Sequence, residues 1–192
     1  FTDVVVAGMG GSWMAGKLVS DAGLVAVPLR VHRSYGLPGD VGRNTLIVAS
    51  SFSGNTEEVL SAYDEAKAAR RPLVGMAAGG ELAQRCAAAG VPFAKIPADP
   101  PTMQPRSSTG YGVGVFTKLF DTLGLTTEGA VDAVERLPEA LVAFMTAARE
   151  RGEALVPALT KTTPVVYAAD RFAIVARIWK IKINENARFR PF

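Results

Sequence analysis

The chain holds 192 residues, 48% hydrophobic and 20% charged, with a formal net charge of +3. That length suits one large domain or one and a half ordinary ones, with apolar residues enough for a sizeable core. The scattered positive charge argues against a nucleic-acid face, no apolar run reaches the length of a membrane span, and one His with one Cys excludes a zinc site of the usual kind. The single cysteine, Cys86, has no internal disulfide partner, which fits a reducing cytoplasm. It lies in an Ala-rich helical stretch and reads as core filler. The chain opens on Phe1 without an initiating Met and stops after Pro191-Phe192 without a closing element, so it is expected to be a fragment of a longer protein.

Residues 4–7 are predicted to form a buried strand, followed by Gly8-Met9-Gly10-Gly11-Ser12 and a helix to about residue 21. Two familiar motifs are imitated here and both fail. A dinucleotide fingerprint needs Gly where Trp13 stands, and an acid about 20 residues on, where Arg30 and His32 are found instead. A nucleotide P-loop needs Ser or Thr after Lys17, but Leu18 follows, and Lys17 falls in mid-helix. What remains is a loop able to bring backbone and the Ser12 hydroxyl near a ligand, or simply a tight turn.

Residues 27–31 read as the next strand, Leu37-Pro38-Gly39-Asp40 as a turn, and residues 45–49 as a third strand. His32, directly after its strand, reads as a surface or satisfied histidine. The stretch Ser51-Phe52-Ser53-Gly54-Asn55-Thr56 then leads into a helix reaching about residue 70. The first N–H groups of that helix lack internal partners and carry its positive dipole end. Three hydroxyls and one Gly let an anion approach those amides, with no Lys or Arg in the loop. An ordinary N-cap by Ser53 or Asn55, with Glu57 and Glu58 complementing the dipole, is the simpler alternative. One cap needs one such residue, and the excess favours phosphate. Residues 72–76, 81–89 and 91–96 continue as strand, helix and strand. The alternation implies an α/β fold with a parallel sheet covered by helices on both faces. Ligands in such sheets bind beyond the carboxyl ends of the strands, where both loops fall.

Residues 97–106 are Pro-rich and irregular, and Arg106 stands directly before Ser107-Ser108-Thr109 and a helix. Helices are predicted near 111–124 and 128–150, a polar connection near 151–163, a strand at 163–168 and a long helix over 171–188. This last strand and helix repeat the opening pattern. Residues 1–155 are therefore expected to form a first domain and 156–192 the beginning of a second.

Taken together, Gly8-Met9-Gly10-Gly11-Ser12, Ser51-Phe52-Ser53-Gly54-Asn55-Thr56, Gln104-Pro105-Arg106 and Lys182-Ile183-Asn184-Glu185-Asn186-Ala187 resemble the bifunctional phosphoglucose/phosphomannose isomerase family. Its members carry tandem sugar-isomerase (SIS) domains. The resemblance implies a flavodoxin-like parallel sheet in each SIS domain and a homodimer, to which composition adds the expectation of a cytoplasmic protein with no nucleic-acid or membrane partner. It implies interconversion of fructose 6-phosphate with glucose 6-phosphate and mannose 6-phosphate, with no metal or organic cofactor. Carried onto this chain, Gly11 and Ser12 line the sugar-phosphate site, and Ser51, Ser53 and Thr56 bind the phosphate. Phe52 stands where Tyr is common. Arg106 matches the cation that stabilises a cis-enediolate, and Glu185 the base that moves a proton between C1 and C2. The family's ring-opening His, a later Lys and a Thr near the sugar are expected beyond Phe192. A non-catalytic SIS module that senses a sugar phosphate is the rival reading. It would keep the hydroxyls without needing Arg106 or Glu185, and Glu185 would then be a helix-surface carboxylate beside Lys182 or Arg188. An amino-sugar isomerase is a further alternative within the enzymes.

Overall fold

The computed structural model describes residues 1–100 and 102–187. Five strands, β1 (Asp3–Gly8), β2 (Leu29–His32), β3 (Thr45–Ser50), β4 (Leu73–Ala77) and β5 (Phe93–Lys95), form one parallel sheet in the order β2-β1-β3-β4-β5. This is the flavodoxin-like order expected for an SIS domain. β1 and β3 lie side by side, with Gly8 opposite Ser50 at their carboxyl ends.

The apolar runs of β1 and β3 are unbroken because both faces of the sheet are covered. Val4, Val6, Leu46 and Val48 share one core with Ala15 and Val19 of α1 (Gly10–Asp21) and with Phe116 and Phe120 of α4 (Thr109–Thr122). The alternate residues Val5 and Ile47 pack with Ala66 of α2 (Glu57–Ala68). Ala49 joins Val59, Leu60 and Tyr63 of α2, together with Leu82 and Cys86 of α3 (Gly80–Ala89). The period of two along each strand thus sends neighbouring residues into different cores. Cys86 is fully buried, and burial pushes its thiol pKa up, in keeping with core filling rather than nucleophilic chemistry.

The chain divides into two compact units, Phe1–Glu128 and Gly129–Phe192. The expected boundary at 155/156 falls inside a helix. In the second unit, α5 (Ala130–Glu135) is followed by α6 (Leu137–Leu159), a 3-10 turn (Asp170–Phe172) and α7 (Ala173–Ala187). Two expectations are corrected here. The polar connection drawn from residue 151 is helical as far as Leu159. Pro157 lies in the last turn of α6 and forfeits only the bond to the Glu153 carbonyl, and Glu153, Ala154 and Leu155 favour helix. The strand expected over residues 163–168 is irregular, and Tyr167 is 90% exposed. A strand persists where its backbone finds a ladder partner, and among the described residues the second unit holds no strand to provide one. The end of the helix expected to reach residue 188 lies outside the described residues.

Candidate functional site: the carboxyl ends of β1 and β3

Strand order reverses between β1 and β3, since β1 is followed by a neighbour on one side and β3 begins the run on the other. The helices leaving these two strands pack on opposite faces of the sheet, α1 in one core and α2 in the other. A crevice at such a switch point is where open α/β sheets bind ligands.

The glycine loop is shorter than its sequence suggests. α1 already begins at Gly10, so Gly11 and Ser12 belong to its first turn. Their backbone N–H groups are among those a helix leaves without internal acceptors, although the Ser12 N–H donates to the Met9 carbonyl at 3.1 Å. Lys17 pairs with Asp21 one turn further on, which confirms the failed P-loop match. The Ser12 hydroxyl accepts a hydrogen bond from the Phe52 N–H at 2.9 Å, tying the start of α1 to the loop after β3.

That loop gathers the three predicted hydroxyls. Ser51 is buried, and its Oγ lies 2.8 Å from Thr56 Oγ1 and 3.5 Å from Ser53 Oγ. It also accepts from the Gly54 N–H at 3.0 Å, while Ser53 Oγ accepts from the Asn55 N–H at 3.2 Å. Ser51 therefore holds the loop's shape and orients Thr56, whereas Ser53 is exposed and Thr56 half-buried at the rim. Thr56 is the N-cap residue of α2 without a side-chain cap bond of its own. The simpler expectation, that Ser53 or Asn55 caps α2, is not what the structure shows. Asn55 Oδ1 instead accepts from the N–H of Glu81 in α3, at 2.9 Å. Sequence reading missed this role, and the Gly79-Gly80 pair after β4 was its one available signal.

Arg106 lies in a 3-10 turn, Pro105–Ser107, and is half-buried. The turn rests on α1, for a Cβ added to Gly11 would come within 3.1 Å of the Pro105 carbonyl oxygen. That carbonyl also accepts from the Ser108 hydroxyl at 2.7 Å. The structure thus assembles Gly11, Ser12, the Ser51–Ser53–Thr56 hydroxyls and the Arg106 turn at one end of one sheet. Glu185 lies on the last turn of α7 in the second unit and is exposed. His32 sits at the end of β2, with Nε2 3.3 Å from the Tyr35 carbonyl, as expected of a surface histidine. Tyr35 donates its hydroxyl to Glu57 at 3.1 Å, and this bond to the carboxylate raises the phenol's pKa. Among the described residues no three His, Cys, Asp or Glu side chains gather as a metal group, and no helix is long and apolar enough to cross a membrane.

No family model matches the sequence. Curated relatives do. The chain is 34% identical over 199 residues to a bifunctional phosphoglucose/phosphomannose isomerase of Caldicellulosiruptor bescii, covering 96% of this chain and 56% of that protein. It is 32% identical over 201 residues to the enzyme of the same name from Thermoplasma acidophilum, covering 100% of this chain and 58% of that protein. The chain therefore spans a little over half the length of these relatives. Among solved structures, a Silicibacter pomeroyi protein assigned as a phosphosugar isomerase superposes with a TM-score of 0.54 at 21% identity, over 74% of this chain and 45% of that one, which supports the fold.

Proposed function

We infer that this chain, a relative along nearly its whole length of the bifunctional phosphoglucose/phosphomannose isomerases, carries the sugar-phosphate site of an aldose–ketose isomerase. Its reaction interconverts fructose 6-phosphate with glucose 6-phosphate and mannose 6-phosphate. The observation that carries this reading is the hydroxyl-lined loop at the switch point between β1 and β3, stitched by Ser12 to the start of α1.

The phosphate sits against Ser53, Thr56 and the first amides of α2, with Gly11 and Ser12 on the facing helix start. Its distance from the reacting carbons lets binding energy position C1 and C2. On the open-chain aldose, Glu185 takes the proton from C2. The C2–H electron pair becomes the enediolate double bond as the carbonyl oxygen gains negative charge. Arg106 offers that oxygen a fixed cation. The O2 hydroxyl proton passes to O1, and return of the carbon-bound proton to C1 as the C2 oxygen becomes the carbonyl gives the ketose. The same steps reversed, with the proton delivered to either face of C2, give either aldose epimer. No step draws on a redox partner or a metal. A cytoplasmic homodimer, and residues 156–192 as the opening of a second SIS domain, complete the proposal.

Glu185→Gln in the full-length protein tests it. The amide keeps size and hydrogen bonding but lacks the basic oxygen. Fructose 6-phosphate binding should persist while turnover falls about a hundredfold, the scale of a general base. Deuterium at C2 of glucose 6-phosphate should exchange or migrate to C1 in the wild type and stay in place in the variant. Isomerisation by Glu185→Gln at the wild-type rate would return Glu185 to the helix surface and end its catalytic assignment.

A further inference from the structure

The hydroxyl loop is bolted to the element beside it, and the bolt is a residue that the reaction itself does not call for. After β4 the chain turns through Gly79-Gly80 directly into α3. Gly54 and Gly80 both have φ of +74°. A Cβ on Gly54 would stand 1.9 Å from the Gly79 carbonyl oxygen, and one on Gly80 would stand 2.1 Å from that of Ser53. The two backbones therefore touch with no side chain between them, at positions where the left-handed region already favours glycine.

Three hydrogen bonds cross this contact. Ala78 N–H donates to the Phe52 carbonyl at 3.0 Å and Leu82 N–H to the Gly54 carbonyl at 2.9 Å. Glu81 N–H donates to Asn55 Oδ1 at 2.9 Å. The N-cap position of α3 is Gly79, which has no side chain to offer its helix. Asn55 supplies the missing acceptor from the neighbouring loop, 26 residues earlier in the sequence. Its backbone N–H is at the same time held by Ser53 Oγ. One residue is thus fixed at its side chain by α3 and at its backbone by a hydroxyl of the proposed phosphate site.

We propose that Asn55 is a positioning residue for phosphate recognition, docking the loop on α3 so that Ser53, Thr56 and the amides of α2 face the anion together. This rests on the phosphate reading of the loop given above. Asn55 touches neither the reacting carbons nor, in this role, the phosphate. Its removal frees the Glu81 N–H and lets the loop between Ser53 and Thr56 reorient.

The test compares Asn55→Ala, Asn55→Asp and a triple Ser51→Ala/Ser53→Ala/Thr56→Ala variant of the full-length protein. Asn55→Ala should weaken fructose 6-phosphate binding about tenfold, the affinity equivalent of one hydrogen bond to a fixed group. Inhibition by inorganic phosphate should weaken by the same factor, placing the loss at the phosphate end. KM should rise accordingly and kcat should fall by a smaller factor, because the anchored phosphate also helps to place C1 and C2. Hydrogen exchange at the Glu81 amide should accelerate in Asn55→Ala and stay slow in Asn55→Asp, which keeps an acceptor at the same reach. The aspartate's own weakening of phosphate binding should be relieved by salt, and the alanine's should not. If Asn55→Ala binds fructose 6-phosphate like the wild type while the triple variant does not, Asn55 only caps α3 and this inference falls. A triple variant that binds as well as the wild type overturns the phosphate site itself.

Discussion

The two compact units carry similarly apolar helices, and among the described residues only the first gives its helices a sheet to lie on. In Phe1–Glu128, α1 and α4 bury Val19, Phe116 and Phe120 on one face of the sheet, and α2 and α3 bury Tyr63 and Leu82 on the other. In Gly129–Phe192, α6 has no buried residue, and Leu141, Val142, Phe144 and Met145 stand exposed along it. Among the described residues, Ala130 and Ile174 are the buried apolar side chains of that unit. An apolar helix face says that a partner is wanted. Whether the partner lies in the same stretch of chain depends on a sheet being there, and in this chain the sheet belongs wholly to the first unit.

The widest test of that contrast is a pair of Phe→Ala changes. Phe116 is fully buried beneath the sheet, and Phe144 is 57% exposed on α6. Phe116→Ala should cost about 3–5 kcal/mol in urea denaturation, the transfer and cavity cost of a core phenylalanine. Phe144→Ala should stay within about 0.5 kcal/mol, as surface changes do. Equal losses would mean that the second unit has a core of its own.

Gly54→Ala sharpens the comparison within the first unit, by attacking its tightest backbone contact rather than its core. The added methyl meets the Gly79 carbonyl in a left-handed conformation. Strain of about 1–3 kcal/mol should appear as a lowered Tm. Calorimetry should show fructose 6-phosphate binding weakened as the loop shifts. A variant with unchanged Tm and affinity would mean that the contact with Gly79 gives way freely.

The smallest effect concerns Cys86, which reports opening of the first unit alone. Burial raises its thiol pKa on folding. A raised pKa favours the neutral thiol, so the contribution to stability is full below the unfolded thiol's pKa, about 8.5. It is lost as pH rises through the folded value. Mildly alkaline buffer should therefore reduce stability slightly, an effect that Cys86→Ser should lack. Thiol reagents at pH 8 should label Cys86 only under denaturing conditions. Rapid labelling of the folded protein would show that α3 does not seal this core.

Much of the site was legible because its signals are local. A β-branched run that ends in Ser51, Ser53, Gly54 and Thr56 ahead of a helical period fixes strand, loop and helix over a dozen residues, and the structure keeps each of them. Lys17 could be dismissed for the same reason, since helical spacing alone turned it away from the glycine loop. Arg106 was visible as a cation at a helix start, but its seat was not. The approach of the Pro105 turn to Gly11 joins residues some ninety positions apart and depends on α1 and α4 sharing one face of the sheet.

The errors have the same origin in reverse. Residues 163–168 have the composition of a strand, yet a strand needs a paired neighbour, and among the described residues the second unit holds no strand to pair with them. Asn55 carried the local chemistry of a cap for α2, and tertiary structure gave its oxygen to α3 instead. The sequence by itself determined which residues could bury, turn or accept a hydrogen bond, because those preferences belong to single side chains and their near neighbours. Only the tertiary structure decided the strand order that opens the crevice between β1 and β3, and which donor each acceptor meets there. Both depend on the distances between segments that the chain's own order leaves free.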